Sequence, residues 1–373
     1  MRFETLAIHA GDDHDTSGSV IPPIYVSTTY RRGADGSFAG GNNYIRDDNP
    51  NRRMLESCMA QLEGGVAAAA FASGMAATMT VFQALDPGDH VVAPRDAFAG
   101  TRKLLDELFV RWGLCVTYVD TSNVGQLRAA LRPSTKLIWI ETPSNPLLSV
   151  TDIGRLAALA HDTRAYTVCD NTVATPALQR PLDLGADLVI HSATKYLSGY
   201  SDVMTGVVVT RTESELFRRI RSLQVDGGAV PSPFDCWLVR RGIRSLSVRM
   251  QGHCAGAAAV SAFLATHPGV DCVHYPGLET DPGHELATTQ MRMFGGLVSF
   301  VLPGGRDRAF AVAAKLRLFT RATSFGGPES LVEHRASIEG PGTRSPEGLL
   351  RLAIGLEHPY DLIDDLSQAL KCT

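Results

Sequence analysis

The sequence predicts an α/β protein whose large domain carries a mostly parallel seven-stranded sheet, with a smaller C-terminal α+β domain. Three observations lead there. From residue 66 to residue 210, short apolar runs alternate with helix-like stretches of about a dozen residues, the rhythm of strand–helix–strand units. The runs are short and apolar, as buried strands of such sheets are. Beyond residue 230 the rhythm breaks at Pro-Ser-Pro-Phe and the elements become mixed. A chain of 373 residues is also long for one core, and at roughly 150 residues per domain it divides into two or three.

Residues 1–45 are rich in Gly, Asp, Ser and Thr, with Pro22 and Pro23 in tandem. They show no stable periodicity and read as an extended arm. Strands are expected at 66–72, 90–93, 115–119, 136–140, 166–170, 187–191 and 206–210, with helices at 74–85, 101–112, 124–131 and 153–163. A single long helix is expected over 235–264. Strand 296–302, helix 308–316, strand 349–355 and helix 360–370 follow. The expected divisions are an arm at 1–45, the α/β domain at 46–232 and the C-terminal domain at 233–373.

Composition narrows the function. The chain is 44% hydrophobic and 20% charged, with a net charge of −4, which argues against disorder and against a polyanion-binding surface. Neither an apolar run of membrane-spanning length nor an N-terminal secretory pattern occurs. The seven cysteines are scattered and form no Cys-x-x-Cys pair, which speaks for a reduced cytoplasm and against a disulfide scaffold or a metal site. Only five lysines occur, at 103, 136, 195, 315 and 371.

Ligands of parallel sheets bind at the carboxyl ends of the strands. Four such places carry chemistry. Lys195 follows the strand at 187–191, with Ser192 and Thr194 beside it. Such a lysine either snorkels to water or is engaged as an imine, and the two hydroxyls suit a phosphate monoester; together they point to pyridoxal phosphate (PLP). Ser73, Gly74 and Met75 form a strand-to-helix turn that is either a plain N-cap or an anion site. Asp170 ends an apolar strand, where a carboxylate needs a partner: an ion pair, a cap, or a protonated pyridine nitrogen. Asn145 lies in the Pro-rich turn Glu-Thr-Pro-Ser-Asn-Pro, as a turn residue or as a donor to a ring hydroxyl or substrate carboxylate.

The order of these signals is specific. With YIRDDNPNRRMLE, FASGMAA, DPGDHVVAP, ETPSNPLL, HSATKYLSGYSDVMTG, SFGGPESLVEH and LLRLAIGLE, the chain resembles the cystathionine γ-synthase/γ-lyase family, the PLP-dependent trans-sulfuration enzymes of cysteine and methionine metabolism, over nearly its whole length. The resemblance implies PLP-dependent fold type I and a transferase or lyase. It implies that Lys195 holds the cofactor and moves protons, that Asp170 pairs with the ring nitrogen, and that Ser73, Gly74, Met75, Ser192 and Thr194 bind the phosphate. Tyr44, in the arm, and Arg46, just after it, would reach the phosphate of a neighbouring subunit, giving shared sites in a homodimer or a dimer of dimers. Arg351 would hold the substrate α-carboxylate, with Asn145 and Ser324 helping.

The sequence also departs from that family. Where the family stacks a tyrosine on the ring, this chain has Phe98, followed by Ala99, Gly100 and Thr101. Tyr200 stands in the family's Gly-His-Ser-Asp segment. Thr323 replaces a glutamate that commonly meets a distal ammonium, and the stretch between Ser337 and Leu349 is about ten residues short. The implied reaction is γ-replacement or γ-elimination on a homoserine- or methionine-type amino acid through a vinylglycine-type intermediate, with a specialised substrate or nucleophile. The alternatives are a β-eliminating lyase and a non-catalytic PLP-binding protein.

Overall fold

The computed structural model describes residues 1–12, 17–38, 41–340 and 343–371. Seven strands form the large sheet: β1 (Ala67–Phe71), β2 (His90–Pro94), β3 (Cys115–Val119), β4 (Thr135–Glu141), β5 (Tyr166–Asp170), β6 (Leu188–Ser192) and β7 (Gly206–Thr210). Their order is β1-β7-β6-β5-β4-β2-β3. β2 to β6 run parallel, and β7 is antiparallel to both β1 and β6. Successive side chains enter different cores. Leu137, Trp139 and Val168 pack with Phe82, Phe109 and Ile220 on one face, while Ile138, Ile140 and Cys169 pack with Leu156 and Leu127 on the other. Burial on both faces explains why these strands are apolar runs.

A second sheet of five strands comprises β8 (Cys272–His274), β9 (Leu297–Val301), β10 (Thr320–Arg321), β11 (Leu331–His334) and β12 (Leu349–Ala353), in the order β10-β11-β12-β9-β8. The β11–β12 pairing sets Glu333 opposite Arg351. One apolar cluster joins the two sheets: Ala70 and Val207 of the first, Ala353 of the second, and Tyr196, Leu148 and Phe325 share it.

Three expectations need correction. The helix expected over 235–264 is two helices, Pro233–Ile243 and Leu246–Ala265. The break falls where the Gly242 carbonyl is taken over by Ser245 Oγ and Arg249 Nη2, at 3.1 and 2.8 Å. The arm is not wholly without periodic structure: Phe3–His9 is a helix that buries Phe3 and Ala7 against the cluster containing Leu55 and Met59. Two turns are too short to show a period. The run at 101–112 contains a π-helical stretch, Leu104–Phe109, between α-helical turns. The segment at 22–25 is held by side chains, with Asn49 and Asn51 bonded to the Tyr25 and Pro23 carbonyls and Trp237 Nε1 to the Pro22 carbonyl. Among the described residues no helix is long and apolar enough to cross a membrane.

Candidate active site

The carboxyl ends of β4, β5 and β6 and the edge of the second sheet enclose a cavity of about 440 Å³. Ser73, Gly74, Met75, Phe98, Asn145, Asp170, Ser192, Thr194, Lys195, Thr323, Ser324 and Arg351 all line it. Tyr44 and Arg46 do not. Tyr44 is exposed on the arm, and Arg46 donates to the Val225 carbonyl at 2.7 Å.

One end of the cavity is an anion cradle. The helix Gly74–Gln83 starts there, capped by Ser73, whose Oγ accepts from the Ala76 N–H at 3.0 Å. The N–H groups of Gly74 and Met75 have no partner within the helix, and both residues line the cavity at the positive end of its dipole. A Cβ on Gly74 would lie 2.7 Å from the Ser192 Cβ, so the helix start approaches β6 this closely only because residue 74 is glycine. Ser192 and Thr194 add hydroxyls to the cradle, and Thr194 is fixed by Thr205, whose N–H donates to its Oγ1 at 3.1 Å.

Two carboxylates also line the cavity. Glu141 ends β4 and Asp170 ends β5, paired in register. Both hydrogen bonds that Asp170 accepts, from the Thr172 N–H at 3.0 Å and the Thr172 hydroxyl at 2.5 Å, go to Oδ1. Oδ2 is left for the cavity. Burial pushes the Asp170 carboxyl up, against the lowering by its Thr172 bonds and the His191 ring. Burial and the adjacent Asp170 push Glu141 well above the usual carboxylate range, although it accepts from the Phe98 N–H at 2.7 Å. A buried carboxylate pair with no cation is costly, and an entering cation relieves it.

Lys195 lines the same cavity from the turn after β6. Its Nζ donates to Ser324 Oγ at 2.6 Å and lies 5.2 Å from the Phe325 ring centre. Burial, then the Arg351 charge, lowers its amine to about 8, so roughly a tenth is the neutral nucleophile at pH 7. Gly326 makes this approach possible: its φ is +93°, and a Cβ there would lie 2.5 Å from the Tyr196 nitrogen. Ser324 itself sits at φ +89°, held there by Lys195 on its hydroxyl and Arg351 Nη2 on its carbonyl at 2.6 Å.

The last wall is a buried arginine. Arg351 is 2% exposed on β12, with Nη1 donating to Asn145 Oδ1 at 3.2 Å and Nη2 lying 2.5 Å from Glu333 Oε2. Its Nε is buried without a partner. Phe98 contributes an apolar ring beside Met75 and Gly100, where a Cβ on Gly100 would lie 2.6 Å from the Phe98 ring. The sequence reading missed Glu141, Thr172, Glu333 and Arg335 in this wall. Glu141 carried the same signal as Asp170, an acid ending an apolar strand.

The set suits a flat ligand with a phosphate ester at one end, a cationic ring nitrogen at the other and an aldehyde between them. Beside it remains room for an amino acid, with Arg351 to take its carboxylate.

Residues 4–371 match the family model described as Cys/Met metabolism PLP-dependent enzyme. The cystathionine gamma-synthase of Mycobacterium tuberculosis is 49% identical, with 98% of this chain and 96% of that protein covered. The solved structure of metB from Corynebacterium glutamicum superposes with a TM-score of 0.97 at 44% identity, covering 100% of this chain and 98% of that one. The cystathionine gamma-lyase from Lactobacillus plantarum complexed with L-serine gives 0.95 at 40% identity, covering 100% and 99%.

Proposed function

Since the chain belongs to the Cys/Met metabolism PLP-dependent enzymes, and is thus a PLP-dependent enzyme of trans-sulfuration type, we propose that it catalyses γ-replacement on a homoserine-type amino acid carrying an acyl leaving group. The observation that supports this reading most is that, among the described residues, no free acid lies at the Thr323–Ser324 side of the cavity. Thr323 and Ser324 line that side, and Glu333 is committed to Arg351 and Arg335. A substrate with a distal ammonium finds no counter-charge among these residues, whereas a neutral or anionic leaving group needs none.

PLP, once bound, draws off the electron pair left when an amino acid loses its Cα proton. We assign this chain's residues the following roles. Gly74 and Met75 bind the phosphate through their N–H groups, with Ser73, Ser192 and Thr194 around them. Asp170 would pair with the ring nitrogen and keep it protonated. Phe98 would supply an apolar face to the ring and, lacking a hydroxyl, would transfer no proton. Lys195 would hold the cofactor through its Nζ, and that amine, lowered to about 8, would suit a base taking a Cα proton near neutrality. Ser324 Oγ orients that amine at 2.6 Å. Arg351, with Asn145 and the Ser324 backbone, orients the α-carboxylate. Tyr44 and Arg46 complete the phosphate site of a second copy of the chain.

Incubation of the holoenzyme with an O-acyl-homoserine and a thiol nucleophile, in parallel with cystathionine and methionine, tests the reading by mass spectrometry of products. A thioether formed from the O-acyl-homoserine faster than cystathionine or methionine is broken down supports γ-replacement. Faster cleavage of cystathionine overturns it in favour of a lyase.

A further inference from the structure

We propose that Arg335 is a positioning residue for substrate recognition: by holding the Glu333 carboxylate it keeps Arg351 available to an incoming α-carboxylate. This rests on the assignment of Arg351 given above. Arg335 follows β11, is 4% exposed, and lines the same cavity. Its Nη1 donates to both Glu333 oxygens at 3.2 Å, and its Nε and Nη2 donate to Glu339 Oε1 at 3.3 and 2.9 Å. Glu333 is therefore shared, with Oε2 also 2.5 Å from Arg351 Nη2.

The electrostatics decide what this sharing does. A carboxylate bound to Arg351 alone would cancel its charge, and in a buried site it would repel a second carboxylate strongly. With Arg335 on its other side, the group Arg351–Glu333–Arg335 carries one net positive charge next to the cavity. Glu339 offsets part of this charge, since it pairs with the Nε and Nη2 of Arg335. It is less buried, faces a neighbouring cavity, and has its other oxygen tied to Thr343 Oγ1 at 2.5 Å and Ser345 Oγ at 3.0 Å. Arg351 meanwhile keeps its buried Nε unpaired, an edge ready for a second oxygen. Burial lowers Arg351 to about 10, and the Arg335 charge acts in the same direction while Glu333 opposes it, as expected for three groups in mutual contact.

Steady-state kinetics of the holoenzyme on O-acetyl-homoserine and O-succinyl-homoserine test this. Arg335→Gln is expected to raise KM for both substrates by about 10- to 100-fold, the scale of one charge-assisted contact, with kcat little changed and cofactor absorbance retained. Arg335→Lys should recover most of the loss. The double variant Glu333→Gln/Arg335→Gln should recover it as well, because the carboxylate that then competes for Arg351 is gone. A rescue of this kind cannot come from packing alone. Arg335→Gln without effect on KM overturns the proposal, as does a defect that Glu333→Gln does not relieve. A loss confined to the O-succinyl substrate also overturns it, since Arg335 would then be reading the far end. Arg351→Ala separates the two layers: if it leaves KM unchanged the assignment of Arg351 fails, and if it alone raises KM only the role of Arg335 fails.

Discussion

Asp170→Asn is the substitution whose effect follows most directly from the geometry. The amide keeps the size and the Oδ1 bonds from Thr172, at 3.0 and 2.5 Å, but removes the charge that Oδ2 offers the cavity. A hydrogen bond to a charged group contributes about 1.5–3 kcal/mol, so PLP affinity should fall by about 10- to 150-fold. The turnover loss should be larger, because a ring nitrogen that is not protonated withdraws electrons poorly. The wild-type protein should also lose affinity as pH falls. Asp170 is pushed up by burial, and PLP with a protonated ring nitrogen binds the ionised form; affinity is therefore full above the raised pKa and declines as pH drops through it. In Asp170→Asn that part of the pH dependence should vanish. Titration of apoprotein with PLP, followed by cofactor absorbance across pH, measures both effects. An Asn variant that binds PLP as tightly as wild type, with an unchanged pH profile, would refute the pairing.

Two further outcomes follow from the substrate side and from the arm. Thr323→Glu adds a carboxylate where the cavity has none free, so turnover of cystathionine should improve and that of O-succinyl-homoserine should fall, by about one to two decades in kcat/KM each; equal effects on the two would show that residue 323 does not face the substrate's far end. Arg46→Ala and Lys195→Ala proteins should each be inactive, and mixing them under exchanging conditions should restore a fraction of activity, since Arg46 lies outside the cavity of its own chain; no recovery despite subunit exchange would count against shared sites.

Much of this architecture was legible in the residues, and the parts that were not share a cause. Strands β1, β2 and β4 to β7 announce themselves as apolar runs because both faces are covered, while β3, at the sheet edge, is only partly buried. Asp170 and Lys195 were legible as polar groups where such runs end. Strands β10 and β11 were not. β10 has two residues, and β11 carries Glu333 and His334, so its extended form comes from pairing with β12 and not from its own composition. That register is also what makes Glu333 visible: only once it lies opposite Arg351 do the two form a pair, with Arg335 two residues further on. The break at 244–245 was hidden for a similar reason, since Arg249 reaches back to the Gly242 carbonyl only in the folded chain. Glu141 carries the same sequence signal as Asp170, an acid that ends an apolar strand.

Lys195, one of five lysines, is the residue proposed to carry the cofactor aldehyde. Borohydride reduction of the holoenzyme followed by peptide mass spectrometry tests it directly, because reduction fixes the cofactor to whichever amine holds it. The account predicts one pyridoxyl-phosphate adduct per chain, on the peptide containing Lys195, and none in Lys195→Ala. An adduct on Lys103, Lys136, Lys315 or Lys371 instead, or full activity in Lys195→Ala, would contradict it.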